Sequence, residues 1–342
     1  MKNLFVYCEI TEEKQIADVS LELLSKGRKL AEQLGVKLEA LLFTDKASMA
    51  LDRINDFGVD VIHLAEDSAL FPYRTLPHFK LVEAIFRQEQ PQIALFGATS
   101  VGRDLAPRVA SALRCGLTAD CTALEIGDHT ETKTGVKYQN LLYQIRPAFG
   151  GNIIATIINP ETRPQMATVR EGVMKLEEVE KQKGRKAEIK RISVSEYLKP
   201  EDYAVEILDR HIEAQKVNLK AANIIVAGGY GVGSKENFGL LHDLAAVLGG
   251  EVAATRAAVD AGYSEHERQV GQTGVTVRPK LYIACGISGA VQHRSGMDQS
   301  AKIISINTDP NAPLNTIADY AVIGNLTEVL PKMIACYKKH SK

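Results

Sequence analysis

The residues of this chain best suited to chemistry lie in its second half, in short segments between predicted strands and helices. Residues 269–274 (Gln-Val-Gly-Gln-Thr-Gly) hold two amides, a hydroxyl and two glycines with little apolar content. Such a segment is typical of a loop that offers hydrogen bonds to the polar edge of a ligand, although a plain surface turn has the same composition. Arg256 follows three small residues and is either a surface cation or a guanidinium that faces an anion.

A glycine-rich turn at residues 228–235 lies between a predicted strand and a predicted helix, as phosphate-binding turns do. Its glycines do not meet the spacing of the dinucleotide fingerprint, and Ser234 precedes Lys235 where a P-loop needs the reverse order. The turn therefore indicates a nearby nucleotide about as strongly as it indicates tight packing of the chain.

A second turn, at residues 286–293, lacks the last glycine that a hydrolase nucleophile elbow requires. Its small residues would let a ligand approach the backbone, and Ser288 is predicted to cap the helix that follows. His293 lies about one turn along that helix, where a structural role is the commoner alternative to ligand binding.

These segments must be positioned by the elements around them. Strands and helices alternate through the first 113 residues, which predicts βαβ units around a parallel sheet, and residues 124–170 are predicted to be strands that complete it. The second half begins again with a strand, so we predict a second doubly wound α/β unit, with domains at residues 1–205 and 206–342. The apolar periodicity places strands at 4–10, 36–43, 59–64, 93–97, 223–227, 303–306 and 321–323, helices at 16–34, 47–57, 76–88, 103–113, 235–248 and 329–339, and a strand followed by a helix within 281–297.

The composition excludes several classes of protein. The 342 residues carry 41 Lys and Arg against 42 Asp and Glu, so no strong positive field favours nucleic acid or an anionic membrane. No apolar run approaches the roughly 20 residues of a membrane helix. The apolar start ends at Glu9, which is too early for a secretory signal, and we expect a cytoplasmic protein. The five cysteines are scattered without a C-x-x-C pair, so we expect no disulfide framework, no iron–sulfur cluster and no metal site.

The order and spacing of the second-half segments resemble the α subunit of electron transfer flavoproteins. The signature begins with residues 259–262 (Val-Asp-Ala-Gly) and continues through the polar loop 269–274, residues 281–284, the turn 286–293, Gly296-Met297, residues 306–309, Ala312-Pro313 and residues 318–320. Residues 99–108 and 146–152 of the first half resemble the family more loosely.

The resemblance implies a Rossmann-like second domain of the deoxyhypusine-synthase type that binds FAD. It also implies a heterodimer, in which the first domain packs against a β subunit. The loop Val270 to Thr273 would contact the flavin and its linker, residues 288–293 would line the ribityl and ring region, and Asn307 would contact the adenosine part. The cofactor-binding residues carried over in this way are Tyr230, Thr255, Arg256, Gln269, Val270, Gly271, Gln272, Thr273, Gly286, Ser288, Gly289, Ala290, Val291, Gln292, His293, Asn307, Asp309, Asn325 and Leu326.

The sequence departs from the family pattern at three of these positions. Tyr230 stands where many members carry arginine, and Thr255 replaces a serine while keeping the hydroxyl. Asn325, which precedes Leu326, replaces an aspartate near the adenosine end.

Three side chains are expected to act on the redox chemistry. The resemblance puts the Arg256 guanidinium against the isoalloxazine ring, where it would stabilise the negative charge that an added electron leaves around N1 and the O2 carbonyl. His293 is expected to donate a hydrogen bond to the same charge, and Thr273 to place its hydroxyl near the N5 or O4 edge. Replacing Arg256 with leucine should then lower the reduction potential of the flavin.

The resemblance implies a carrier of electrons between dehydrogenases, such as an acyl-CoA dehydrogenase, and other redox partners. Some members bifurcate electrons: they oxidise NADH at a second FAD in the β subunit and reduce ferredoxin or flavodoxin as well as the dehydrogenase. Neither nucleic acid nor insertion into a membrane is expected. Two alternatives remain, namely an adenine-nucleotide-binding sensor without redox activity and a NAD-dependent enzyme of a related fold. The latter would need a catalytic side chain in the cleft, and only Lys235 stands out.

Overall fold

The computed structural model describes residues 2–148, 153–177, 186–210 and 217–340. The described residues up to 210 form one compact unit, and residues 217–340 form a second. Residues 149–152, which belong to one of the family-like segments of the first half, lie outside the described residues.

The first unit is built on a parallel sheet of seven strands in the order β10-β3-β2-β1-β4-β9-β5. The order reverses direction between β1 and β4, so the crevice at the carboxyl ends of these strands is the topological switch point. The strands are β1 (Leu4–Cys8), β2 (Leu38–Thr44), β3 (Val61–Glu66), β4 (Ile93–Gly97), β5 (Leu117–Cys121), β6 (Ala123–Thr130), β7 (Lys137–Ala148), β8 (Ile153–Ile157), β9 (Gln165–Val169) and β10 (Glu188–Arg191), and the helices are α1 (Asp18–Leu34), α2 (Ser48–Asn55), α3 (Thr75–Glu89), α4 (Ser100–Leu113) and α5 (Val194–Tyr197).

Helices cover both faces of this sheet, which explains why its central strands are continuous apolar runs. All five residues of β1 are buried, and they alternate between two clusters: Leu4, Val6 and Cys8 belong to one, and Phe5 and Tyr7 to the other. A parallel sheet buried on both faces requires this kind of strand. The predicted alternation of strands and helices through residue 113 is confirmed, with ends that differ by a few residues.

The prediction that residues 124–170 complete the main sheet is wrong in part. β9 does join that sheet, but β6, β7 and β8 form a separate antiparallel sheet of three strands. A parallel neighbour needs a crossover of a dozen or more residues, and the connections of β6, β7 and β8 to one another are too short for one. These strands can therefore pair only as hairpins.

The second unit has a five-stranded parallel sheet in the order β12-β11-β13-β14-β15. Its direction reverses between β11 and β13, which places a second switch point there. The strands are β11 (Ile224–Gly228), β12 (Glu251–Ala254), β13 (Leu281–Cys285), β14 (Ile303–Asn307) and β15 (Tyr320–Ile323), and the helices are α6 (Phe238–Leu248), α7 (Arg256–Asp260), α8 (Val291–Arg294) and α9 (Leu326–His340).

Two local predictions in this unit are corrected by the structure. The helix expected from residue 235 begins at Phe238, because the Asn237 side chain donates to the Val232 carbonyl at 2.8 Å and so closes a turn first. Ser288 does not cap α8; Ala290 occupies that position and makes no side-chain cap. Of the helices described here, none is both long and apolar enough to cross a membrane.

Candidate cofactor site

A cavity of about 630 Å³ lies within the second unit, at the carboxyl ends of four parallel strands. Its walls come from the segments that follow β11, β12, β13 and β14, together with the polar loop 269–274. The cavity therefore occupies the switch point between β11 and β13, where open α/β sheets bind their ligands.

The fold brings most of the predicted site residues to this cavity. The predicted residues that line it are Tyr230, Thr255, Arg256, Val270, Gly271, Gln272, Thr273, Gly286, Ser288, Ala290, Gln292, His293, Asn307 and Asp309. They are separated by up to 79 positions in the sequence, and parallel strands bring them together because the carboxyl ends of all the strands meet at one edge of the sheet.

Five predicted residues lie outside the cavity lining as far as the described chain shows it: Gln269, Gly289, Val291, Asn325 and Leu326. Asn325 accepts hydrogen bonds from the backbone and side chain of Thr327 at the start of α9, and Leu326 is buried in the core. Gly289 has φ of 92°, and a Cβ there would lie 2.3 Å from the Leu314 nitrogen. Asn325, Leu326 and Gly289 therefore support the shape of the unit.

Gln269 and Thr273 fix the polar loop. The buried Gln269 side-chain amide donates to Thr273 Oγ1 at 2.9 Å, and the backbone carbonyl of Gln269 accepts from the Val275 nitrogen at 2.8 Å. Because the amide is the donor, the Thr273 hydroxyl keeps its own proton for another acceptor. This orients a hydrogen-bond donor on a residue of the cavity wall.

Arg256 supplies a cation at the start of α7, directly after Thr255. The Thr255 hydroxyl accepts from the Ala258 nitrogen at 3.3 Å and caps the helix, which is the role its short side chain suits. Arg256 Nε lies 3.4 Å from Asp260 Oδ2 one turn later, and both side chains are well exposed. Asp260 also lines the cavity, so part of the arginine's positive field is neutralised there.

His293 is a buried, neutral member of the wall. Nδ1 donates to the Val270 carbonyl at 3.0 Å, and Nε2 lies 3.0 Å from the Tyr282 hydroxyl, which is then the donor. Burial lowers the pKa of the imidazole from its usual value to about 4, partly offset by the bond to Val270. In this state both ring nitrogens serve the protein, so donation from Nε2 to a ligand would require a second proton.

Two glycine loops meet closely behind the cavity. A Cβ on Gly229 would lie 2.2 Å from the Gly286 carbonyl oxygen, and Gly231 donates to the same oxygen at 3.1 Å. Only glycine allows this approach, because it has no Cβ. The segments after β11 and β13 can therefore bring backbone atoms close to a ligand in the cavity.

Both units of the chain match models of one protein family. A family model described as the electron transfer flavoprotein domain matches residues 4–197, and one described as the electron transfer flavoprotein FAD-binding domain matches residues 218–298. The chain belongs to the electron transfer flavoprotein family. The second match includes most of the cavity lining, so the second unit is the FAD-binding domain of the family.

Full-length relatives agree with this assignment. The chain is 43% identical to an electron transfer flavoprotein subunit alpha of Thermoanaerobacterium thermosaccharolyticum, over 99% of this chain and 98% of the relative. It is 45% identical to Protein FixB of Clostridium saccharobutylicum, over 99% and 97% of the two chains. It is also 38% identical to an acryloyl-CoA reductase electron transfer subunit beta of Anaerotignum propionicum, over 99% and 96%. The predicted family, fold class and FAD cofactor are thus confirmed.

The residues present fit FAD. The cavity volume lies in the range of about 300–1,000 Å³ that cofactor sites occupy. Hydroxyls of Thr273 and Ser288 and the amide of Asn307 offer polar contacts for sugar and ring edges, beside apolar walls such as Ile287. When bound, FAD supplies one- and two-electron transfer, and the protein supplies its position and electrostatics. Within the described ranges, no three His, Cys, Asp or Glu side chains are grouped to hold a metal ion.

Several lining residues were missing from the predicted set: Gly229, Gly231, Ala257, Asp260, Ile287 and Ala312. Asp260 carries the most chemistry among them, and its position four residues after Arg256 is the signal that could have found it. Residues i and i+4 of a helix lie on the same face.

Proposed function

We propose that this chain pairs with a β subunit and carries electrons between the FAD of its second domain and dehydrogenases. The observation that carries the proposal is the switch-point cavity, where Arg256, Thr273 and the glycine loops converge within the FAD-binding domain. The relatives' names support a subunit role, because they describe an alpha subunit and an electron transfer subunit. The first domain, placed here at residues 1–205, would pack against the β subunit, and residues 206–342 would hold the flavin.

The proposed electron donor or acceptor is an acyl-CoA dehydrogenase. The relative from Anaerotignum propionicum is named as the electron transfer subunit of an acryloyl-CoA reductase, which supports a partner that acts on an acyl-CoA. We extend the proposal to electron bifurcation, in which NADH is oxidised at the β subunit and ferredoxin or flavodoxin is the second acceptor. A cytoplasmic location is consistent with such soluble partners.

Within the site, different residues of this chain would have different roles toward the cofactor. Thr273 and Ser288 would hold polar edges of the cofactor by hydrogen bonds, and Arg256 would stabilise negative charge on the reduced ring. His293 would shape the wall as a neutral ring and would donate to the ligand only after taking up a proton at Nε2. Asn307 at the end of β14 and Asp309 just after it would lie at the adenosine side.

The switch point of the first unit argues against a nucleotide sensor. The buried Glu9 carboxylate lies at the end of β1, and Thr99 Oγ1 is 2.9 and 2.8 Å from its two oxygens. Thr99 in turn accepts from the Gly102 nitrogen at the start of α4. A phosphate at this helix terminus would have to displace the buried Glu9 side chain and its bond to Thr99, so the site that favours a nucleotide is the one in the second unit.

Co-expression with the β subunit tests the proposal. We expect a yellow complex that contains FAD and that is reduced by an acyl-CoA dehydrogenase supplied with its acyl-CoA. Bifurcation predicts that NADH oxidation requires both a ferredoxin or flavodoxin and the dehydrogenase acceptor, and stops when either is omitted. A colourless complex that rejects added FAD would overturn the whole proposal, whereas NADH oxidation with one acceptor alone would overturn bifurcation only.

A further inference from the structure

Tyr230 is an aromatic side chain of the cavity wall, and a second aromatic ring packs against it. It is 63% exposed, yet its ring stacks on Tyr263 with centroids 5.9 Å apart and planes 22° from parallel. Tyr263 lies in turn against the buried ring of Phe238, at 6.2 Å and 53°. We call these three residues the Tyr230 stack; it runs from the core of the second unit to the cavity.

The backbone that carries Tyr230 is fixed as well. The residue opens a short helical turn in which the Gly233 nitrogen donates to the Tyr230 carbonyl at 3.1 Å. The next residue, Gly231, donates to the Gly286 carbonyl at 3.1 Å, and a Cβ there would lie 2.8 Å from that oxygen. The position of the Tyr230 Cα is therefore fixed by packing between the loops that follow β11 and β13.

One face of the ring is left for a ligand. Tyr230 lines the cavity whereas Tyr263 does not, and Tyr263 stacks on only one face of the Tyr230 ring, so it leaves the other face of this largely exposed ring uncovered. A large aromatic side chain that is packed on one face and uncovered on the other is suited to stacking on a planar ring. Stacking needs a flat partner and no particular hydrogen bonds.

We propose that the open face of Tyr230 stacks on the isoalloxazine ring of the bound FAD, with Tyr263 as the residue that positions it. This inference rests on the proposed function of the cavity. The strand order favours the isoalloxazine over the adenine, because the proposed function puts the isoalloxazine beside Arg256 and the adenosine beside Asn307. Tyr230 follows β11 and Arg256 follows the neighbouring strand β12, whereas Asn307 is the last residue of β14. Because neighbouring strands lie about 4.8 Å apart, Tyr230 is on the Arg256 side of the cavity and two strands away from Asn307.

The test uses the complex with the β subunit after removal of its FAD, and three probes. FAD carries both rings, FMN carries only the isoalloxazine, and ADP carries only the adenine. We expect Tyr230→Leu to raise the dissociation constants of FAD and FMN about tenfold and to leave that of ADP unchanged. Tyr263→Leu is expected to have a smaller effect in the same direction, because it removes the support and keeps the stacking ring.

Fluorescence separates stacking from a merely structural role. A tyrosine ring stacked on a flavin quenches its fluorescence by donating an electron to the excited ring, and phenylalanine does so poorly. Tyr230→Phe should therefore keep the affinity for FAD and increase the fluorescence of the bound flavin. Tyr337→Leu is the matched control, since Tyr337 is 44% exposed on α9 and does not line the cavity in the described chain.

The possible results test the stacking role, the choice of ring and the FAD site separately. Unchanged FAD affinity and unchanged flavin fluorescence in both Tyr230 variants would overturn the stacking role while leaving the FAD site in place. Weakened ADP binding with normal FMN binding would assign the stack to adenine and overturn the assignment to isoalloxazine. A native complex that binds none of the three probes would contradict the proposed function itself.

Discussion

The Gln269 side-chain amide donates to Thr273 Oγ1 across 2.9 Å, and this single bond decides where the hydroxyl proton can point. Gln269 is buried and does not line the cavity as described, whereas Thr273 does. An amide donor occupies an acceptor site of the hydroxyl and leaves its proton free for a ligand. Gln269 is therefore a positioning residue for the Thr273 hydroxyl.

Removing the Thr273 hydroxyl should weaken FAD binding and lower the reduction potential of the flavin. Thr273→Val deletes a donor worth roughly 1 kcal/mol, which corresponds to a several-fold rise in the dissociation constant. Gln269→Leu should produce part of the same loss with the hydroxyl still present. Fluorescence titration of FAD and redox titration of the bound flavin measure both effects.

Thr273→Ser is the matched variant, because it keeps the hydroxyl and should keep both properties close to native. Thr316→Val serves as the surface control, since its hydroxyl bonds to the Pro313 carbonyl at 2.7 Å and it does not line the described cavity. If Thr273→Val bound FAD as tightly as Thr273→Ser, the hydroxyl would have no role in holding the cofactor.

The ion pair of Arg256 and Asp260 predicts opposite effects of two substitutions. Arg256→Leu removes a cation beside the reduced ring and should lower the reduction potential, while Asp260→Asn removes the neutralising partner and should raise it. A charge near a solvent-exposed site changes the energy by about 1 kcal/mol, so shifts on the order of 50 mV are expected for a one-electron couple. Spectroelectrochemical titration of the complex measures them.

Salt concentration and a distant lysine control this prediction. Both shifts should shrink at high ionic strength, because the pair is exposed and is screened by salt. Lys332→Leu, at an exposed position of α9, should leave the potential unchanged. Shifts of the same sign in Arg256→Leu and Asp260→Asn would show that the two side chains act through structure rather than charge.

The sequence was sufficient to predict most elements of the two parallel sheets, but β5, β10 and β12 were not among the predicted strands. Buried strands such as 93–97 are short apolar runs bounded by turn residues, and helices such as 18–34 repeat apolar residues on one face. Both patterns can be recognised in the sequence. The polar loop at 269–274 and the turn at 286–293 were predicted to face a ligand from their small and hydrogen-bonding residues, and most of their residues line the cavity.

Pairing between distant groups was beyond the sequence. The alternation in β6, β7 and β8 predicts strands and says nothing about which sheet they join. His293 is similar: its two partners are the Tyr282 hydroxyl on β13 and the Val270 carbonyl in the polar loop, and only the folded chain shows that both nitrogens are engaged. Propensity and spacing describe local structure, whereas these contacts depend on tertiary packing.

His293 should make the FAD-binding unit less stable as the pH falls. Burial lowers the pKa of its imidazole from 6.5 to about 4, so the folded state resists protonation more than the unfolded chain does. The stabilisation is complete above pH 6.5 and is lost as the pH falls toward 4. We expect His293→Gln to flatten this dependence in flavin-release experiments between pH 4 and 7.

His129→Gln is the control, because His129 is exposed on β6 of the other unit. It should leave the pH dependence of flavin release as it is in the native complex. An identical slope for the native protein and His293→Gln would mean that the imidazole does not titrate as its burial requires.

Glu9 should make the first unit less stable as the pH rises, which is the opposite of the pH dependence expected from His293. Burial raises the pKa of its carboxyl from 4.5 to about 7, with a smaller rise from Glu171 and an opposing effect of the hydrogen bond from Thr99. The folded state then holds a proton that the unfolded chain gives up, so the free energy of unfolding falls as the pH rises from about 4.5 to 7. The loss amounts to about 3 kcal/mol over this interval. Glu9→Gln keeps a bond to Thr99 and cannot ionise, and it should remove the decline.

Chemical unfolding of the Glu9→Gln complex and of the exposed control Glu161→Gln, at pH 5 and pH 7.5, measures this effect. The advantage of Glu9→Gln over the native protein should be small at pH 5 and near its full size at pH 7.5, while Glu161→Gln should match the native protein at both. Because His293 and Glu9 change stability in opposite directions as the pH rises, the two substitutions should tilt the native profile in opposite senses. A Glu9→Gln profile parallel to the native one would mean that the carboxylate is already ionised in the folded state at pH 5.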